Sequence, residues 1–230
     1  MIGKKKLVVQ YNIEQIYLEI ARSAAQCGFV TLYKKPHEAK DINFENNTRF
    51  SGVAISIAFS YAAMEAFCNA HLHSIYNQVR GLTDAGKKAG WAYKFRNEED
   101  KQHFSDDKAF DALLWKELKD KLKILASALH IPSIEKTDKP LWLEICSVSR
   151  DLRNFIIHPD PRTKRFDSDM KKIMEKNIAG KYANIATKTI RHFYEKRRPS
   201  VSIPAWLDKN VLFRFLSSMD IERAWNHKPL

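Results

Sequence analysis

The chain has 230 residues, of which 44% are hydrophobic and 29% are charged, with only 7 glycines and 8 prolines. This composition is that of a globular protein, and it excludes collagen-like and low-complexity chains. Lysine and arginine (39) exceed aspartate and glutamate (27), so the net charge is +12 and a polyanionic partner is expected.

Apolar residues spaced three and four apart predict helices in the first third of the chain. One apolar stripe lies within Ile13–Ala21, and a longer one lies within Arg49–Tyr76. Small residues dominate one side of the second helix, so that another helix could approach it closely. Gly81 and the polar stretch Thr83–Asp100 predict a connection with an exposed tip.

Acidic residues and prolines indicate where the later helices begin and end. We expect them from Asp106 to about Ile131, from the turn at residues 137–140 to Pro159, from Ser168 to about Lys196, and from Ala205 to Leu216. Proline ends a helix because it removes a donor and restricts the residue before it. Gly180 weakens the continuity of the third of these helices. The predicted fold is therefore all-α: an antiparallel helical bundle in one compact domain.

Several observations bear on location and on generic sites. The longest apolar run, Val53–Phe59, is interrupted by Ser56, so we expect no membrane-spanning helix and no membrane partner. The amino terminus lacks the features of a secretory signal. The three cysteines contain no CxxC pair, which predicts a cytoplasmic protein without a disulfide framework.

Metal and nucleotide motifs are also missing, so no metal and no cofactor are expected. Cys68, His71 and His73 are close in sequence, but in a helix the two histidines point about 200° apart. The chain contains no phosphate loop, no GxGxxG, no HExxH and no GxSxG sequence.

The positive charge is concentrated between Pro161 and Ser200, where twelve basic residues stand against four acidic ones. This segment holds +8 of the +12, and we interpret it as an RNA-backbone-binding face, the alternative being a solvated helix face. The residues expected to contact phosphates are Lys171, Lys172, Lys176, Lys181, Lys188 and Arg191.

Polar residues crowd one side of the end of the fourth predicted helix. Arg150, Asn154 and His158 follow one another at i, i+4 and i+8, and Arg153 can lean onto the same face. Pro159 fixes His158 in the last turn, where the helix dipole stabilises an imidazolium while neighbouring guanidinium groups oppose it. These opposing effects favour titration near neutrality, as general acid–base catalysis requires.

The string Arg153-Asn154-Phe155-Ile156-Ile157-His158-Pro159 resembles the R-x4-6-H signature of the HEPN superfamily, in its R-N-x3-H form. The helix that contains Glu65 and Asn69 is similar to the E-A-x-x-N helix of several HEPN groups. The resemblance implies a four-helix HEPN-like core over residues 49–196, with an N-terminal extension (1–48, one helix) and a C-terminal helical extension (197–230).

HEPN proteins are often metal-independent endoribonucleases of toxin–antitoxin, phage-defence or RNA-processing systems. The resemblance implies that His158 acts as acid or base, that Arg153 stabilises the phosphorane, and that Asn154 orients the phosphate or the imidazole. Arg150, Glu65 and Asn69 are expected to support them. Glu65 is expected to pair with Arg150 or Arg153, unless it is a solvated helix residue.

The expected partners are RNA and a second copy of the chain, because HEPN motifs of two subunits commonly face each other across a two-fold axis. An antitoxin or another defence-system protein is a further possible partner. Two alternatives stay open: a catalytically inactive HEPN-like RNA-binding or scaffold protein, and a basic helical DNA-binding regulator. The second lacks a recognisable helix-turn-helix.

Overall fold

The computed structural model describes residues 12–30, 39–89, 95, 97–147, 178–197 and 202–207. Within these residues there is no strand, which confirms the all-α prediction; the HEPN-like arrangement of the bundle stays a prediction. The helices are α1 (Ile13–Val30), α2 (Ala39–Ala89), α3 (Glu98–Gln102), α4 (Asp107–Leu114), α5 (Leu118–Ala128), α6 (Ile134–Thr137), α7 (Lys139–Ser147) and α8 (Ile178–Arg197), followed by a 3-10 turn (Ala205–Leu207).

Helices α1 and α2 form a hairpin that packs on α8. Arg22 lies against Thr187, whereas Glu14 lies close to Tyr194, so α1 runs antiparallel to α8. Phe67 of α2 contacts Phe193 with ring centroids 5.5 Å apart. The core lies between these three helices and continues into α4, α5, α6 and α7, with α5 packed against α2.

Helix α8 is the central helix of the bundle rather than a solvated basic rod. Nine of its residues are buried, leaving a narrow exposed stripe that contains Lys181, Lys188 and Arg191. Arg22 holds α8 to the neighbouring segments, because its guanidinium donates to Thr187 Oγ1 and to the Trp206 carbonyl, each at 2.8 Å. Gly180 lies within this helix and does not interrupt it.

The predicted connection at Thr83–Asp100 is partly wrong, because α2 continues through Gly81 to Ala89. A glycine inside a helix costs only about 1 kcal/mol, which a long, well-packed helix tolerates. A short helix, α3, follows within the same stretch. It begins because the side chain of Asn97 accepts a hydrogen bond from the backbone N–H of Asp100 at 2.7 Å.

The single helix predicted from Asp106 to Ile131 is also wrong, since the chain forms α4 and α5 with a break at residues 115–117. In one continuous helix, the apolar pair Phe110 and Leu113 would point about 120° away from the stripe that begins at Leu118. The break allows both groups to face the core. The predicted start is confirmed, as Asp106 caps α4 by accepting from Ala109 N at 2.8 Å.

Further differences concern the predicted turn and the last helices. The turn at residues 137–140 contains the end of α6 and the start of α7, and Asp138 caps α7 by accepting from Leu141 N at 3.0 Å. The helix predicted to reach Pro159 is described only as far as Ser147, and the helix predicted from Ser168 to about Lys196 is described only from Ile178. In the helix predicted from Ala205 to Leu216, the described residues form the 3-10 turn Ala205–Leu207. The other residues of these three predictions lie outside the described residues.

The segment Phe50–Arg80 of α2 is long and apolar enough to cross a membrane by length and composition, contrary to the sequence expectation. Half of its most apolar stretch of 18 residues is buried inside the bundle, and the core helix of a soluble protein has the same length and composition. A soluble bundle is consistent with this finding, and the cytoplasmic location stays a prediction.

The C-terminal end of α5 is closed by a Schellman motif in which His130 occupies the left-handed position. His130 has φ of 58°, its backbone N–H donates to Ser127 O, and that of Ile131 donates to Ala126 O, both at 3.0 Å. A non-glycine residue in this conformation is strained, because its Cβ approaches the following carbonyl.

We therefore expect His130→Gly to raise the free energy of unfolding by about 1 kcal/mol. His130→Ala is the matched control, since it removes the imidazole but retains the Cβ and its strain. Denaturant unfolding of both variants measures the difference. A glycine variant no more stable than the alanine variant would contradict the assignment of strain to this position.

Candidate functional site

The structure describes only part of the predicted site. The residues Arg150, Arg153, Asn154 and His158, together with Lys171, Lys172 and Lys176, lie outside the described residues. Helix α7 is described as far as Ser147, six residues before Arg153, and it packs on α6 and α8. The predicted residues that are described are Glu65 and Asn69 on α2 and the three cations on α8.

Glu65 meets a cation that the sequence analysis did not single out. The ammonium group of Lys121 on α5 lies 2.9 Å from Glu65 Oε1. The Lys121 side chain is only 1% exposed, whereas that of Glu65 is 32% exposed. Any pairing of Glu65 with Arg150 or Arg153 lies outside the described residues.

The apolar periodicity of α5 contains a signal that could have identified Lys121. Leu118, Leu122 and Leu125 form the buried stripe of the helix, and Lys121 lies within it at i+3 from the first and i−4 from the last. A lysine is almost never fully buried unless it is paired. Its position therefore predicts a carboxylate partner on the facing helix, although the sequence does not say which one.

Two neighbours of Glu65 on α2 complete the polar cluster. Cys68 is fully buried, and burial raises the pKa of its thiol, the nearby ammonium of Lys121 acting in the opposite direction. This thiol is consequently protonated and unreactive at physiological pH. Asn69 Oδ1 is buried and accepts no hydrogen bond from the described part of the chain.

The three described cations of α8 differ in how well they could bind phosphate. Lys181 pairs with Glu144 of α7 at 3.1 Å, and Arg191 pairs with Glu195 one turn along its own helix at 2.6 Å. Lys188 is exposed on the same stripe. The carboxylates partly neutralise the stripe, so the prediction of RNA binding here depends most on Lys188 and on the cations outside the described residues.

The histidines of α2 lie on different sides of the helix. His71 packs edge-on against Phe67, with ring centroids 4.4 Å apart, beside Tyr194 of α8, whereas His73 packs against Phe110 of α4. His71 and Arg197 are among the residues that line a small pocket. No group of three or more metal-ligating side chains occurs in the described part of the chain.

Burial, followed by the nearby charge of Arg197, lowers the pKa of His71 from 6.5 to about 4. Since the folded-state pKa is below that of the unfolded chain, protonation favours unfolding. The contribution of His71 to stability is complete above pH 6.5 and is lost as the pH falls to about 4. Allowing for its partial exposure, we expect a loss of roughly 2 kcal/mol.

Urea unfolding of the wild type and of His71→Gln between pH 4 and 7 measures this effect. The difference between the two proteins should shrink as the pH falls. His73→Gln controls for loss of an exposed imidazole from the same helix. Parallel stability curves for wild type and His71→Gln would contradict the expectation.

Comparisons of the chain with models of protein families, with curated protein sequences and with solved structures give no match. The resemblance to HEPN proteins therefore depends on the motif residues themselves.

Proposed function

We propose that this protein is a metal-independent endoribonuclease of the HEPN type. The observation that carries the proposal is the sequence Arg153-Asn154 followed by His158-Pro159, which comes after α7 along the chain of a protein whose described residues form helices and no strand. The net charge of +12 supports a polyanionic substrate. Toxin, phage-defence and RNA-processing roles all use this chemistry.

The chemistry needs no metal and no protein nucleophile, because RNA supplies its own 2′-hydroxyl. In the proposed reaction His158 removes the proton of the 2′-hydroxyl, whose oxygen attacks the adjacent phosphorus. The bond to the 5′-oxygen breaks, and that oxygen receives a proton from an acid, the second His158 of a homodimer being the candidate. Arg153 stabilises the charge that develops on the phosphorane, and Asn154 orients the phosphate.

The polar cluster on α2 supports the proposal in a limited way. Within the described part of the chain, Glu65 is fixed by Lys121 through one of its oxygens, and Asn69 Oδ1 accepts no hydrogen bond. Buried acceptors are normally satisfied, and arginine supplies five donors in a rigid fork. Arg150 and Arg153 are the donors that we propose for these acceptors.

Incubation with a mixture of RNAs in excess EDTA tests the proposal. We expect cleavage of RNA but not of DNA, with 2′,3′-cyclic phosphate and 5′-hydroxyl ends. A matched RNA with a 2′-methoxy group at the cut site should resist cleavage, because it lacks the attacking hydroxyl. Cleavage that requires a divalent metal would contradict the mechanism, and RNA binding without cleavage would support an inactive scaffold instead.

A further inference from the structure

Trp115, in the break between α4 and α5, is the most exposed large apolar residue in the described part of the chain. It is 90% exposed, whereas the next such residue, Leu143, is 59% exposed. A tryptophan ring normally stabilises a fold by removing roughly 150–250 Å² of its surface from water. The indole of Trp115 therefore contributes little to the packing of the bundle.

The local backbone holds this ring outside the core. In α4, position 115 lies about 200° around the helix axis from Leu113, which is fully buried. The backbone N–H of Lys116 donates to Leu113 O at 3.1 Å, and that of Asp120 donates to Glu117 O at 2.9 Å. Hydrogen bonds thus fix the chain on both sides of the break, and a ligand of this ring does not have to order a loop.

The neighbours of Trp115 along the chain favour a nucleic-acid base over an apolar partner. Its exposed neighbours are Asp111, Ala112, Lys116 and Glu117, three of which are charged. Binding sites for proteins and membranes commonly surround a tryptophan with further apolar side chains. A base needs only a single ring, because every base has a π-face that stacks on an aromatic side chain.

Lys116 provides a cation next to the ring. It is exposed and forms no ion pair within the described residues, whereas Lys119 pairs with Glu117 at 2.9 Å. The ammonium group of Lys116 is therefore available to a phosphate. The net charge of +12 attracts a polyanion to the protein over a longer range.

Contacts between α5 and α7 place Trp115 at the end of the bundle where the described part of α7 stops. Lys123 Nζ on α5 lies 5.1 Å from the centre of the Trp142 ring on α7. One turn further along α7, burial raises the pKa of the Cys146 thiol, and the nearby ammonium groups of Lys119 and Lys123 act in the opposite direction. Helix α7 therefore runs antiparallel to α5 and reaches Lys119, one turn after Trp115.

The proposed catalytic residues follow this end of α7 along the chain. Arg153 is six residues after Ser147, and six residues span at most about 21 Å. Proteins that bind single strands cover roughly 4–16 nucleotides. One strand of that length reaches both Trp115 and the motif.

We propose that Trp115 stacks on an unpaired base of RNA, with Lys116 binding a neighbouring phosphate, a few nucleotides from the bond that is cut. The position of the cut rests on the proposed ribonuclease function, whereas the stacking is a binding event of its own. Because the bases of a duplex stack on and pair with each other, this ring selects single-stranded RNA.

Binding of a single-stranded, fully 2′-methoxy oligonucleotide of roughly 12 nucleotides tests the proposal. This RNA lacks the attacking hydroxyl, so the fluorescence anisotropy of an attached dye measures binding without cleavage. Trp115→Ala should weaken binding roughly 5- to 100-fold, and Trp115→Phe, which keeps a ring, much less. Ile13→Ser is the matched control: Ile13 is 51% exposed on α1, which packs on α2 and α8, and its loss should leave the affinity unchanged. Circular dichroism verifies that the variants remain folded.

An abasic strand of the same length separates stacking from charge. Trp115→Ala should not weaken binding of this strand, because it has no base to stack. Lys116→Gln should weaken binding of both strands alike and lower the salt slope by about one unit. Equal losses for Trp115→Ala with the intact and the abasic strand overturn the proposal, as does an affinity for the intact strand that Trp115→Ala leaves unchanged.

Two further outcomes separate this proposal from others. Binding to anionic lipid vesicles that Trp115→Ala abolishes, with the affinity for RNA retained, would assign the ring to a membrane. If the wild type cleaves RNA and Trp115 has no part in binding it, the stacking proposal alone fails. If the wild type binds RNA through Trp115 and cleaves none, the ribonuclease proposal alone fails.

Discussion

Replacing His158 with alanine is expected to reduce the rate of RNA cleavage by about 10²–10⁴-fold, the usual contribution of a general acid–base group. Arg153→Ala should lose a comparable factor, since it removes the cation that stabilises charge in the transition state. His158 is predicted to lie at the end of a helix, where a side chain contributes little packing, so the free energy of unfolding should change little. Single-turnover cleavage of one labelled RNA in EDTA measures both effects.

Arg153→Lys provides the matched control for the arginine. Lysine keeps the charge but loses the planar fork of donors, so it should restore only part of the rate. Binding of the RNA, measured separately, should weaken far less than cleavage in each variant. Cleavage that persists at the wild-type rate in His158→Ala would remove this residue from the mechanism.

Replacing Glu65 with alanine is expected to destabilise the bundle by about 3–5 kcal/mol, the usual cost of removing one partner from a buried ion pair. The cost is high because the ammonium of Lys121 would remain buried without a counter-charge. The reciprocal change, Lys121→Met, leaves the more exposed Glu65 carboxylate in reach of water. It fills the same space with an apolar chain and should cost less than about 1 kcal/mol.

The double variant Glu65→Ala, Lys121→Met completes the comparison. It should be more stable than Glu65→Ala alone, because no unpaired charge is left inside. Urea unfolding of the four proteins gives the coupling energy directly. If the two single variants lost the same free energy of unfolding, the pair would be solvated. The difference in exposure between Lys121 and Glu65 would then have no effect on stability.

The helical class and the starts of α4 and α7 could be predicted because they depend on local pattern, whereas α2 begins at Ala39, before the predicted start at Arg49. Asp106 caps α4 as an acidic residue at a helix start should. The predicted stripe of α1 is partly wrong, because Ala21 is buried but Ile13 and Ile16 are exposed, and Leu18 is buried in their place. The break before Leu118 could not be predicted in the same way. It depends on the direction of the core relative to two apolar stripes, which is a property of the packed bundle and not of either segment.

The site could be predicted only in its residue types. The motif around Arg153 and His158 is visible in the sequence, whereas the partner of Glu65 is 56 residues away on another helix. Periodicity places Lys121 on a buried face but cannot identify the helix that packs against that face. For the same reason, the basic excess near Lys188 gave no indication that α8 is mostly buried.

The central position of α8 has a consequence for the synthesis of the protein on the ribosome. The hairpin of α1 and α2 is made first, but the helix that covers Leu18 and Phe67 begins only at Ile178. At 5–20 residues per second, roughly 5–20 s separate the end of α2 from the start of α8. During this interval the nascent chain exposes core surface that only a late segment can cover, so we expect it to depend on chaperones until Arg197 has left the exit tunnel.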